Sequence, residues 1–290
     1  RAMGGGWIID LDIQRFFDDV DWEHLRSFLD QRVRDGVIRR AIGKWLNAGV
    51  MESGEVSHPD RGTPQGGVVS PVLSNLYLHE VLDLWFEHEV KPRLRGRAFE
   101  IRFADDAALA FEREEDARRV LAVLSKRFEK YGLRLHPEKT RLVDFRSPPR
   151  AGGGGSQRER SFGLLGFTHY WGRSRKGHWV VQRKTAKDRF TRALREIGRW
   201  CRAHRHWPVA AQQAALHRKL MGHYAYYGIT GNGRALARFL YEVRRLWRKW
   251  LNRRSWHARM TWDKFVRLAT RYPLPLPRVV HSVFRHTATP

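Results

Sequence analysis

The sequence predicts an α+β protein, in which a mixed region of strands and helices is followed by an almost wholly helical one. Three observations predict it. Strand-like and helix-like hydrophobic patterns alternate as far as Phe145, and helical spacing takes over after Lys184. Between them Ser147 to Ser156 (SPPRAGGGGS) holds two prolines and four consecutive glycines, a composition that connects folded regions rather than packing within one.

The elements follow in order. Trp7 to Ile13 alternates and is rich in Ile, as a buried strand is. Trp22 to Val33 and Val37 to Leu46 carry helical spacing, and Ser70 to Glu89 reads as a longer helix opened by Ser70-Pro71. Phe99 to Phe103 and Ala107 to Phe111 are strands separated by a short polar turn. Ala117 to Tyr131 is an amphipathic helix stopped by Gly132, and Leu133 to His136 and Thr140 to Phe145 are short strands. Phe162 to Trp171 and His178 to Arg183 form a hairpin. Helices then cover Thr185 to His204, Pro208 to Leu220, Arg234 to Leu251 and Trp262 to Thr270.

Charge divides the chain at the same place. Residues 1–146 hold 24 Lys and Arg against 25 Asp and Glu, whereas residues 147–290 hold 31 against 5, so the whole surplus of +25 lies in the second half. Such a concentration repels itself unless a polyanion neutralises it. Arg predominates there, and its guanidinium both forks onto phosphate and stacks on bases, which points to nucleic acid. Eight of the 12 tryptophans also lie beyond Phe162. Aromatics interleaved with Arg suit stacking on RNA, although such residues, like Tyr224, Tyr226 and Tyr227, serve equally as core. The single cysteine, Cys201, excludes an internal disulfide and a cysteine-cluster zinc site. The apolar runs are too short or too interrupted to span a bilayer, and no leader pattern is present, so a bacterial cytosol is the expected location.

Two acidic groups carry the chemistry. Asp10 and Asp12 sit two apart at the end of an apolar strand, and so point to one face. Asp105 and Asp106 occupy the tip of a hairpin after Phe103-Ala104. A turn aspartate alone is commonplace. If the strands are neighbours, however, the acids converge, and converging carboxylates need cations to stay ionised. Oxygen ligands without nearby His or Cys favour Mg²⁺, and two such ions about 3.5–4 Å apart clamp the oxygens of phosphoryl transfer. Between the acids, Arg61-Gly62-Thr63-Pro64-Gln65-Gly66-Gly67 is either a ligand-approaching loop or a simple glycine-rich turn before a helix.

The order of these blocks, with Gly132-Leu133-Arg134-Leu135-His136-Pro137-Glu138-Lys139-Thr140 and Leu164-Leu165-Gly166-Phe167, resembles the palm of group II intron reverse transcriptases. Gly222-His223-Tyr224-Ala225-Tyr226-Tyr227, Leu246-Trp247-Arg248-Lys249-Trp250-Leu251 and Pro273-Leu274-Pro275-Leu276-Pro277-Arg278 are similar to their thumb and maturase region. The resemblance implies a reverse-transcriptase palm, an antiparallel sheet with packed helices, in residues 1–146. It further implies a flexible connection at 147–161, the end of the palm with a primer-grip hairpin at 162–183, and a basic helical thumb at 184–290.

By the same resemblance Asp12, Asp105 and Asp106, with the carbonyl of Ile13, would hold two Mg²⁺ ions, and Asp10 would stand outside that set. Phe16 and Phe17, with Pro64, Gln65 and Gly66, would line the incoming nucleotide, Phe17 excluding a 2′-hydroxyl unless it is simply core. Lys139 would face the triphosphate as a general acid for pyrophosphate unless it is simply a solvated strand-end lysine, and Leu165 and Gly166, at a turn, would grip the primer. Arg244, Arg245, Arg248, Lys249, Arg253 and Arg254 would bind RNA. The implied activity is RNA-directed DNA synthesis from dNTPs on a DNA primer and RNA template, with group II intron RNA as a further partner. The alternative is a non-catalytic, maturase-like splicing cofactor, and a third reading is a related retroelement enzyme serving a host system. Two departures from the family are Phe103, where Tyr is usual, and the start of the chain just before the first acid block, which leaves the fingers absent. No cluster like the family's endonuclease appears, so DNA cleavage is not expected.

Overall fold

Trp7–Leu11 (β1) is apolar at every position but Asp10, the pattern of a strand covered on both faces. The computed structural model describes residues 5–48, 50–52, 55–57, 60–63, 67–146, 148, 160–174, 176–255 and 259–282. The chain divides into two compact units, Arg1–Leu165 and Gly166–Pro290. Most of the expected connection at 147–161, and Pro64, Gln65 and Gly66, fall outside the described residues.

In the first unit β1 is followed by Ile13–Gln14 (β2) and a short helix, Phe16–Asp19 (α1). Next come Trp22–Asp30 (α2) and Gly36–Leu46 (α3), which start on Asp21 and Asp35; each of these carboxylates accepts from two backbone N–H groups of its helix's first turn. Val50–Glu52 (β3) pairs with Glu55–Ser57 (β4). Ser70–Leu78 (α4) opens on Pro71 and runs on through π-helical turns at His79–Asp83 and Phe86–Val90, so one long helical segment buries Tyr77, Leu78, Val81, Leu82 and Phe86.

Ala98–Phe103 (β5) and Asp106–Phe111 (β6) follow, then Glu114–Lys130 (α5), Arg134–Leu135 (β7), Arg141–Asp144 (β8) and Ser161–Leu164 (β9). Strands β5, β6, β1 and β8 form one antiparallel sheet in that order. Helix α5 buries Ala117, Val120, Leu124 and Phe128, one stripe at helical spacing, and packs on the sheet. It ends where Gly132 takes φ +70°. Gly132 N–H donates to the Glu129 carbonyl and Leu133 N–H to that of Phe128, a pairing that a left-handed residue makes possible. Ile9, Leu109, Phe111, Leu124 and Phe128 are fully buried at this interface. The antiparallel sheet with packed helices is therefore as expected.

The second unit begins with an antiparallel hairpin of Phe167–Arg173 (β10) and Trp179–Thr185 (β11). The single strand expected from Phe162 to Trp171 is instead broken at Leu165 and Gly166, which both have positive φ. The helices are Lys187–Ala203 (α6), Val209–Tyr227 (α7), Gly233–Leu251 (α8) and Trp262–Arg271 (α9). Their core is Leu216, Leu220, Tyr224, Val243, Trp247 and Phe265. Two buried amides lock it. Gln212 accepts from Trp247 Nε1 at 2.8 Å and donates to the carbonyls of His204, Arg205 and Trp207. Asn232 bonds both Oγ1 and N of Thr185, tying β11 to the start of α8. Among the described residues no helix is long and apolar enough to cross a membrane.

Candidate active site and nucleic-acid groove

The pairing of β1 with β6 runs from Trp7 opposite Phe111 to Leu11 opposite Ala107. Asp12 thus leaves β1 at the same end of the sheet at which Asp106 enters β6. The turn between β5 and β6 is Ala104-Asp105, closed by the pair Phe103 and Asp106. Of its two residues Ala104 alone has positive φ, +54°, a conformation that costs an L residue about 1–2 kcal/mol. Asp105 is exposed and Asp106 half-buried.

Each acid has a distinct environment. The segment 136–140 clasps Asp12: His136 N–H donates to its carbonyl at 2.8 Å, and Thr140 Oγ1 bonds its backbone at 3.2–3.3 Å. The same segment carries Lys139, whose Nζ lies 2.7 Å from Asp12 Oδ2. Asp106 Oδ2 accepts from Leu165 N–H at 2.5 Å. Asp10 Oδ2 accepts from Gly163 N–H and from Arg141. Burial holds the Asp10 carboxyl above its ordinary range, against the lowering effects of Gly163 and Arg141.

Asp12, Asp105 and Asp106 therefore share one end of the sheet, with Lys139 beside Asp12. Among the described residues, however, no three His, Cys, Asp or Glu side chains lie close enough to hold one metal ion. Asp12 is neutralised by the Lys139 ammonium instead. The donors available are hard oxygens, which suit Mg²⁺ in kind; Ile13, whose carbonyl would complete the set, is buried.

The nucleotide residues separate into two classes. Phe16 is 3% exposed and belongs to the core, a correction to its reading as a nucleotide contact. Phe17 is half-buried against the same core, its ring 5.3 Å from that of Phe16. Its carbonyl accepts from Thr63 N–H at 2.6 Å. Gly62 (φ +85°) makes that approach possible, since a Cβ there would stand 2.7 Å from the Asp18 carbonyl oxygen. Thr63, the residue before Pro64, Gln65 and Gly66, is thus pinned to Phe17.

Sequence reasoning missed a second cluster beside the hairpin. Arg102 bonds Asp83 through Nε and Nη2, both at 2.6 Å, and through Nη1 bonds Asn75 and the Ala104 carbonyl, both at 2.9 Å. Glu100 lies on the same face of β5, and burial with the Asp83 charge pushes its carboxyl up to about 8. Folding therefore holds a proton that the unfolded chain releases near its ordinary value of 4.5. Stability from this group is complete below that pH and falls as pH rises towards 8. The histidines 169 and 223, lowered by burial to about 4, act in the opposite sense below 6.5. Melting temperature should consequently fall between about pH 6.5 and 8, and Glu100→Gln should flatten that fall. Thermal melts across this window decide it; an unaltered slope would assign the effect elsewhere.

In the second unit the six basic residues expected to bind RNA fall into two groups. Arg248 donates to the Met260 carbonyl and stacks on Trp262 at 4.4 Å, and Arg254 donates to the carbonyls of Arg205 and Trp207. Arg245 pairs with Glu242, and Arg253 lies over Trp250. Arg244 has its Nε buried. Arg248 and Arg254 are thus engaged with backbone carbonyls, whereas Arg245, Lys249 and Arg253 stay exposed. The second unit also presents a basic groove of about 2240 Å³ between β10–β11, α6 and α8. Arg173, Lys176, Arg183, Lys184, Lys187, Arg195, Arg199, Arg202, Arg234, Arg238 and Lys249 line it, with Glu242 the only acid. Small-molecule sites occupy roughly 300–1,000 Å³, so the groove has the size and charge for a polyanion. Of the six expected residues only Lys249 lines it. Spacing offered a signal: Arg195, Arg199 and Arg202 recur at i, i+4 and i+7 along one face of α6.

Residues 2–169 match the family Reverse transcriptase (RNA-dependent DNA polymerase). The chain belongs to the reverse transcriptase family. The chain is 33% identical over 138 residues to the group II intron-encoded protein LtrA of Lactococcus lactis, covering 44% of this chain and 23% of LtrA. It is 38% identical over 85 residues (29% of this chain, 10% of the relative) to an uncharacterized 91 kDa protein in the cob intron of Schizosaccharomyces pombe. It is 36% identical over 76 residues to protein YkfC of Escherichia coli, 26% and 20% of the two chains. The matched part of the chain thus spans less than a quarter of each of these relatives. Among solved structures, a telomerase from Candida albicans aligns over 91% of this chain and 47% of its own, at TM-score 0.44 and 12% identity, too distant to add to the family match.

Proposed function

We propose that this chain is the palm and thumb of a group II intron-type RNA-directed DNA polymerase, which adds dNTPs to a DNA primer on an RNA template and also binds intron RNA. The observation that carries this reading is the shared position of Asp12, Asp105 and Asp106 at one sheet end, from strands far apart in sequence. Those carboxylates, with the Ile13 carbonyl, would hold Mg²⁺, which when bound neutralises developing phosphate charge. The primer 3′-hydroxyl gives its proton to solvent as its oxygen bonds to the α-phosphorus, and the bond from that phosphorus to the pyrophosphate oxygen breaks. Lys139, exchanging Asp12 for the triphosphate, supplies the proton to that leaving group. The Leu165 N–H, directed at Asp106, orients that carboxylate, and the turn with Gly166 grips the primer end. The basic groove holds the duplex by its phosphates, as a thumb would. Synthesis in the bacterial cytosol belongs to the same proposal.

One observation favours the alternative, a non-catalytic RNA-binding splicing cofactor: Lys139 already satisfies Asp12, and no three-acid group stands assembled among the described residues. Extension of a DNA primer on an RNA template by the purified chain, dependent on a divalent cation, separates the two. RNA binding without extension would select the cofactor.

Selectivity tests the Phe17 assignment. The ring would fill the space a 2′-hydroxyl needs, and a steric term of that kind is worth about 10- to 200-fold in discrimination. Phe17→Val should raise ribonucleotide incorporation relative to deoxynucleotide by such a factor. A variant that loses melting temperature while its discrimination stays fixed would return Phe17 to the core.

A further inference from the structure

We propose that Arg102 is a positioning residue for the hairpin acids, anchoring the Ala104-Asp105 turn to the long helical segment through Asp83 and Asn75. The proposal rests on the reading of Asp105 and Asp106 as catalytic acids. Its basis is geometric. Arg102 makes four hydrogen bonds, three to Asp83 and Asn75 on the long helical segment and one to the turn itself. The side chain is only 12% exposed and its partner Asp83 24%. His79 Nδ1 also lies 3.1 Å from Asp83 Oδ2, the oxygen that accepts from Arg102 Nη2. Asn75, His79 and Asp83 recur every four residues, so a single helical face presents all three to β5.

The turn has need of such an anchor. A two-residue hairpin turn with positive φ at its first position is normally supplied by glycine, and here the residue is Ala104. A conformation the local sequence disfavours persists when surrounding contacts determine it. The Arg102 bond to the Ala104 carbonyl is such a contact, made from inside the fold. A guanidinium fork can grip a carboxylate with one edge and a carbonyl with the other, whereas an ammonium cannot reproduce both. The same bonds orient the peptide that precedes Asp105, and through it the direction in which both acids leave the strand.

The full chain carrying Arg102→Lys, Asp83→Asn or Asn75→Ala tests this with two readouts. The first is hydrogen exchange at the amide of Asp106, which closes the turn opposite Phe103. The second is steady-state primer extension. In Arg102→Lys and Asp83→Asn, exchange at Asp106 should rise about tenfold or more, the scale of one charge-assisted hydrogen bond, while amides of β1 and α5 keep their rates. The turnover number kcat, referred to the fraction of enzyme that binds template-primer, should fall by a similar factor with KM for dNTP unchanged; a fall that disappears on that normalisation reports lost folded enzyme and overturns the anchor. If both of these variants exchange faster throughout the unit, Asn75→Ala, whose side chain is exposed, decides by its effect at Asp106 alone. Exchange at Asp106 that stays at the parent rate, or rises no more than in β1, overturns the anchor. A parent chain that extends no primer removes the polymerase reading instead, and the exchange data then judge the anchor by themselves.

Discussion

Asp105→Asn is expected to reduce primer extension by at least about 10²–10³-fold, the scale on which removal of one electrostatic stabiliser acts in an active site, while leaving RNA affinity unchanged. The substitution keeps the shape of the side chain and removes its charge. Asp105 is exposed at the tip of the β5–β6 turn, and among the described residues no hydrogen bond depends on its carboxylate in the way that Leu165 N–H depends on Asp106. Loss of stability is therefore not the expected cause of lost activity, and an unchanged melting temperature should accompany it. Asp106→Asn is a less clean probe, because it weakens the bond to Leu165 as well. Affinity for RNA is expected to persist because the basic groove is formed wholly by residues of the second unit. Single-turnover extension with saturating RNA and primer gives the number. Residual extension within tenfold of the parent would show that Asp105 is a turn residue and nothing more.

Much of the fold was legible because its signals are local. The apolar run Trp7 to Leu11 has few alternatives to a central strand, and the stripe Ala117, Val120, Leu124 and Phe128 before Gly132 announces both a helix and its end. The acid pair at 105–106 could be placed on a hairpin because apolar strands flank it. What escaped depends on partners distant in the chain. No local feature shows that Lys139 will meet Asp12, 127 residues earlier, or that Arg102 will reach Asp83 and the turn. The turn at Gly166 was visible only through the family resemblance, because leucine is an improbable left-handed residue and by hydrophobic pattern alone the run from Phe162 looked continuous. Helix α1 was hidden for a similar reason, since it starts from Arg15 at φ +42°. Arginines were the hardest to assign. A guanidinium serves a phosphate or a backbone carbonyl with the same geometry, so Arg248 and Arg254 could not be told from Arg195 and Arg199 before the carbonyls of Met260, Arg205 and Trp207 were located.

That distinction makes the groove testable by salt. Each phosphate neutralised by Lys or Arg releases condensed counterion, so six to ten contacts would cost about 10³–10⁵ in RNA affinity between roughly 50 and 200 mM salt. The full chain should show this loss with a structured RNA. Replacing Arg195, Arg199 and Arg238 together with Gln should flatten the logarithmic salt slope by about 2–3, because three phosphate contacts are lost at roughly 0.7–0.9 each. All three line the groove; Arg199 also pairs with Glu196 and Arg238 lies over Phe190, contacts that Gln replaces at small cost on a partly exposed surface. Arg254→Gln should behave in the opposite way. It removes one of the two donors that the carbonyls of Arg205 and Trp207 share with Gln212, so its effect should appear in melting temperature, with the salt slope left near that of the parent. Binding isotherms at four or more salt concentrations, read beside thermal melts, give both quantities for each variant. If the groove triple keeps the parent slope while Arg254→Gln flattens it, the nucleic acid lies along the end of α8 and the groove does not hold it.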